Sequence, residues 1–87
     1  MAKRHWLVRI HKVGGEVDVA TEVVAESAHE ALLKAARKAK VWPKGAGAHM
    51  QHFPGGHTWH VWPTWKVGNA TSLGDMYVAR IIPAEEA

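Results

Sequence analysis

Residues 5–25, HWLVRIHKVGGEVDVATEVVA, constrain the fold more than any other stretch. Two runs rich in β-branched and aromatic residues flank Gly14-Gly15, the two-residue spacing that favours a primed hairpin turn. With the glycines as the turn, Val13 lies opposite Glu16, and the register places Ile10 opposite Val19, Val8 opposite Thr21 and Trp6 opposite Val23. That face is nearly all apolar. The other receives His11 opposite Asp18, Arg9 opposite Ala20 and Leu7 opposite Glu22, the alternation of a sheet with one solvated side. The hairpin over 5–25 therefore needs a second layer on its apolar side.

The next segment supplies it. Ser27-Ala28-His29-Glu30 reads as a capping box that opens a helix over 28–41. Ala28, Leu32, Ala35, Ala36 and Ala39 follow at helical spacing, a narrow stripe of small residues that can lie close on a sheet. Lys34, Arg37, Lys38 and Lys40 occupy the flanks and last turns, where cations complement the helix dipole, and Pro43 and Gly45 end the helix. From Gly45 to Trp65 the chain carries no Asp, Glu, Lys or Arg. Its turn signal is Phe53-Pro54-Gly55-Gly56, and the strand composition of Thr58-Trp59-His60-Val61-Trp62 makes 45–67 an aromatic and histidine-rich hairpin, with an ordered loop as the alternative. Pro63 belongs at an edge or a strand end. Residues 68–75 read as a loop, 76–82 as a closing strand stopped by Pro83, and 84–87 as a frayed tail. The expected architecture over 1–87 is a single α+β domain in two layers, an antiparallel sheet of 4–5 strands with one helix packed on one face.

At 87 residues, 47% of them hydrophobic and 22% charged, the chain has the make-up of one ordinary globular domain and not of a disordered segment. It has no cysteine, which excludes disulfides, thiolate ligands and thiol nucleophiles together and fits a reducing cytoplasmic setting. No apolar run reaches membrane-spanning length and the first residues form no signal-peptide core. The net charge of +3 is unevenly laid out: five of the eleven Lys and Arg residues (Lys34, Arg37, Lys38, Lys40, Lys44) fall within 34–44, which favours anionic partners at that end.

His49, His52, His57 and His60 are arranged symmetrically about the Pro-Gly-Gly turn, and neutral imidazoles bind zinc, copper or nickel. Strand residues three apart point to opposite faces, so the four could share a metal only if the backbone bulged between them, and no thiolate or carboxylate stands nearby. No cofactor is expected. For catalysis the pairing offers one histidine-carboxylate couple, His11 with Asp18, on a solvated face, without a nucleophile elbow, a phosphate loop or flanking acids. The chain thus reads as non-enzymatic. Its contact surface is expected at Trp59, Trp62, Trp65, His57 and His60, a charge-free aromatic set of the kind favoured at interfaces, with Arg37, Lys38 and Lys40 adding anion complementarity. Against that stands the need of an alanine-striped helix for bulk opposite it, which would draw Trp59, Val61 and Phe53 into the core. The same rings could alternatively stack on the bases of single-stranded nucleic acid while the basic helix end meets phosphates.

Trp6 in a short strand, a tight hairpin, Val23-Val24-Ala25-Glu26-Ser27 running into Glu30-Ala31-Leu32, and a last strand Val78-Ala79-Arg80-Ile81-Ile82-Pro83 resemble small phage-encoded inhibitors of bacterial RNA polymerase. The resemblance covers about half the chain and leaves out residues 42–75. It implies a small host-takeover or anti-defence protein that blocks a host protein or nucleoprotein complex, such as polymerase or a CRISPR-type nuclease, by stoichiometric binding. That family uses acidic side chains against its target, whereas this chain is basic.

Overall fold

The computed structural model describes residues 3–87. The first hairpin pairs β1 (Arg4–Lys12) with β2 (Asp18–Ala25) in the register set by the alternation, Ile10 opposite Val19, Val8 opposite Thr21 and Trp6 opposite Val23. The turn is wider than the two glycines. Lys12 N–H donates to Val17 O, and inside that loop Gly15 N–H donates to Lys12 O. Gly14 is the third residue of this inner turn and takes φ 73°, the left-handed conformation such a position can require. Because the extra residues are added equally to both arms, the register is unchanged.

Helix α1 (Ala28–Lys38) begins at Ser27, whose Oγ accepts the Glu30 N–H at 3.2 Å. The Glu30 carboxylate reaches one residue past the cap, to the Glu26 N–H. The helix ends at Lys38 and not at 41, because Lys40 adopts φ 58° and turns the chain. Val41 N–H then bonds Ala36 O and Lys40 N–H bonds Arg37 O, a Schellman closure. Glycine suits that left-handed position, and a lysine there costs about 1–2 kcal/mol.

The remaining strands are β3 (Gly47–His52), β4 (Thr58–Val67), β5 (Ala70–Leu73) and β6 (Tyr77–Pro83). The sheet order is β2-β1-β6-β4-β3, antiparallel throughout, with β5 paired to the far part of β4. The stretch 45–67 is thus a hairpin. The sheet has six strands where 4–5 were expected, and the additional one is β5, inside the polar stretch read as a loop. Gly68, at φ 62°, makes the tight turn that lets Ala70 pair with Val67. Pro63 lies inside β4, yet breaks no ladder: β6 pairs with β4 through Val61 and β5 begins at Thr64, so the missing N–H falls at the changeover. The residues after β6 form a short 3-10 turn, Ala84–Glu86, instead of a frayed tail, and Arg4 pairs with Glu85 there.

The helix lies on one face of the sheet. Trp6, Val8, Ile10, Val23, Val61, Tyr77, Ala79 and Ile81 are buried together with Ala31, Leu32, Ala35 and Ala36 of α1. The bulk that the alanines lack comes from Trp42, just after the helix, whose ring meets Tyr77 edge-on at 5.7 Å. Val61 joins the core as expected and Trp59 packs against it half-buried, but Phe53 lies on the opposite face. Trp6 is fixed by its Nε1–H donating to Ala25 O at 2.9 Å. No described helix is long and apolar enough to cross a membrane.

Candidate functional site

The face of the sheet turned away from α1 has no covering layer among the described residues. Strand alternation places there Leu7 and Arg9 of β1, Val78 and Arg80 of β6, His60 and Trp62 of β4, and His49 of β3, with Phe53 continuing the last series. The two ends of this face differ in chemistry. Along β1 and β2 the charges close on one another: Arg9 Nε and Nη2 take both oxygens of Asp18 at 2.9 and 2.8 Å, and His5 Nδ1 lies 2.8 Å from Glu22 Oε2. The guanidinium holds the Asp18 carboxyl below the ordinary aspartate range by hydrogen bonding. The expected His11–Asp18 couple is therefore replaced: the two residues are opposite in register, but the carboxylate belongs to Arg9.

Along β3 and β4 rings take the place of charges. Phe53 meets His60 edge-on at 4.2 Å, His49 lies 5.3 Å from Trp62, and His60 and Trp62 are 6.2 Å apart. Phe53 is 41% exposed, and His60 and Trp62 are half-buried by one another and their neighbours. Arg80, opposite Arg9 on one side and Thr58 on the other, is exposed and has no carboxylate partner among the described residues. Between the two ends, a depression of about 510 Å³ is lined by Leu7, Arg9, Ala20, Glu22, Arg80 and Ile82, with Ala87 at its rim. The face offers a ring ridge, one free guanidinium and an apolar hollow.

The expected contact set is divided by the sheet. Trp62 and His60 are on the open face; Trp59 and Trp65 fall on the helix side, and His57 lies just before β4 with Nε2 3.8 Å from Glu86. Residues 59 and 62 differ by an odd number, so a strand must send them to opposite faces. Arg37, Lys38 and Lys40 belong to the helix layer and cannot share a surface with Trp62. Lys38 and Lys34 instead reach back to the outer edge of β2, donating to Glu22 O and Val24 O at 3.3 and 2.7 Å. The histidines are likewise dispersed: His49 and His60 share the open face, while His52 stacks on Trp59 at 4.4 Å on the other. Among the described residues no three His, Asp or Glu side chains stand close enough to hold a metal.

Sequence reasoning passed over Arg80, and it did not place Trp42 inside. The signal for Arg80 was present in the alternation of β6, where it interrupts an apolar strand. Trp42 is 6% exposed, and its Nε1–H is a buried donor with no partner among the described residues. An orphaned donor of this kind costs about 1–3 kcal/mol. Comparison of the chain with family models, curated proteins and solved structures finds no match.

Proposed function

We propose that the protein is a non-enzymatic binding module that docks a protein partner through the open sheet face. The observation that carries this reading is the clustering of Trp62, Phe53, His60, His49, Val78 and Arg80 on the β6-β4-β3 part of that face without an acid, the one lysine of β4 on this side, Lys66, lying past the end of β3 where β4 pairs with β5. Tryptophan and arginine anchor protein interfaces, whereas lysine and glutamate, costly to desolvate, are depleted from them. The hollow beside Leu7 and Ile82 suits one apolar side chain of the partner, and Arg80 at its edge suits a carboxylate or a carbonyl. Phosphate recognition is poorly served here, because Arg37, Lys40 and Lys44 lie on the other layer and Lys66 stands past the end of β3. The sequence resemblance gives the reading its narrower form, a stoichiometric inhibitor of a host protein or nucleoprotein complex.

The test is capture of a partner by the immobilised protein and by three variants: Trp62→Ala, Arg80→Glu and, on the helix side, Arg37→Glu. Loss of tenfold or more in affinity with the first two, and retention with the third, is expected for a hot spot of more than about 1 kcal/mol per residue. Equal binding by the wild type and both open-face variants would overturn the reading.

A further inference from the structure

We propose that the corner where α1 ends is a second site, for single-stranded nucleic acid, in which Arg37, Lys40 and Lys44 hold phosphate and Trp65 carries a base. A cavity of about 350 Å³ is lined by Arg37, Lys40, Trp42 and Lys44. The three cations are donors and none can accept, so the cavity selects an acceptor-only group such as a phosphate. None of the three cations has a carboxylate partner among the described residues, in contrast to Arg4, Arg9, Lys12 and Lys34.

Trp42, buried by the core and set edge-on to Tyr77, gives the cavity a rigid wall and a ring whose environment changes when the cavity fills. The negative end of the helix dipole, roughly half a charge, opposes an anion here but is outweighed by three full cations. A neighbouring cavity of about 330 Å³ shares Lys44 and is bounded by Pro43, Ala46 and Trp65. Trp65 is 42% exposed, the most exposed tryptophan of the chain, and an indole beside a phosphate site is what a base needs for stacking. Nucleic acid is favoured over a free phosphate because the two cavities together accept a phosphate and a flat ring in succession.

The experiment follows the indole N–H resonances by NMR during three titrations at low salt: inorganic phosphate, a 5′-phosphorylated oligothymidylate of about eight nucleotides, and polyglutamate. The Trp42 indole signal is expected to move with phosphate and with the oligonucleotide, which should bind tenfold or more tighter than phosphate. With one phosphate held in the cavity, raising salt from about 50 to about 200 mM should weaken the oligonucleotide roughly 2.6-fold. Arg37→Glu and Lys44→Glu, both exposed positions, should abolish both responses, while Trp65→Ala should weaken the oligonucleotide alone. A stationary Trp42 signal overturns the site. So does polyglutamate binding as tightly as the oligonucleotide, or an oligonucleotide no tighter than phosphate. Trp62→Ala should leave this binding intact, so the site and the open docking face succeed or fail separately.

Discussion

The two hairpins of this sheet are built on one plan and finished in opposite ways. In β1-β2 the open-face polar side chains close on one another across the strands, Arg9 in an ion pair with Asp18 and His5 in a hydrogen bond with Glu22, and the free edge of β2 is closed by Lys34 and Lys38. In β3-β4 the cross-strand pairs are rings, His49 with Trp62, His52 with Trp59 and Phe53 with His60, within residues 45–65, which carry no Asp, Glu, Lys or Arg. With its polar groups matched internally, that side leaves a partner only the apolar hollow beside Leu7, and a lysine-capped edge discourages strand addition. A ring surface without charges is half-desolvated already. The difference separates a hairpin that holds the fold from one that is available for contact.

The largest expected effect sets the scale for that contrast. Ile10→Ala, beneath the first hairpin and fully buried, should lower stability by about 2–5 kcal/mol in urea unfolding, a large part of what a domain of this size has. Trp62→Ala, on the open face of the second hairpin, should cost only about 1 kcal/mol of stability while removing partner affinity. Were Trp62→Ala as damaging to folding as Ile10→Ala, the division between holding and contacting hairpins would collapse. Replacing Lys34 and Lys38 together by alanine uncovers the β2 edge, so the molar mass from light scattering should rise with protein concentration more than that of the wild type; a mass equal to the wild type's at every concentration would show that the lysines are not what closes that edge.

The smallest effect is the dependence on acid. The carboxyls of Asp18, Glu30 and Glu85 are all held below their ordinary ranges, by hydrogen bonds from Arg9, Lys34 and Arg4 respectively. Stability from these pairs is fully present above the unfolded carboxylate range and is lost as pH falls through the lowered values of the folded state. These groups are solvent-exposed, so salt screens the effect. Arg9→Gln should flatten the Asp18 share of the acid limb in pH-dependent unfolding, and the Asp18 carboxyl should return towards its ordinary value by NMR titration. No such limb can arise from β3-β4, which contains no acid.

Much of the scaffold was legible because several signals coincided. The first hairpin had turn residues, alternation and β-branched composition in agreement, and its register survived even though the turn is wider than two glycines. The serine cap fixed the start of α1, whereas its end turned on Lys40 taking a conformation that no lysine advertises. Strand β5 was hidden by its short, polar sequence, since a four-residue partner needs only the neighbouring strand's free edge. The tryptophans of the expected contact set were read least well. Trp59, Trp62 and Trp65 were grouped by composition, but the period of two that separates His49 from His52 also separates Trp59 from Trp62. Only the pairing of β4 with two partners at once tells which parity faces the helix.

The uncapped border of β3 has one further implication, for assembly. The main-chain groups of Ala48, Met50 and His52 point outward from it, because the alternate residues are the ones bonded to β4. Two molecules meeting along this border would be related by a twofold axis, and each would then present its lysine-blocked β2 side and the outer side of the four-residue β5 to newcomers. Self-recognition by this route ends at a closed pair and does not run on into a fibril.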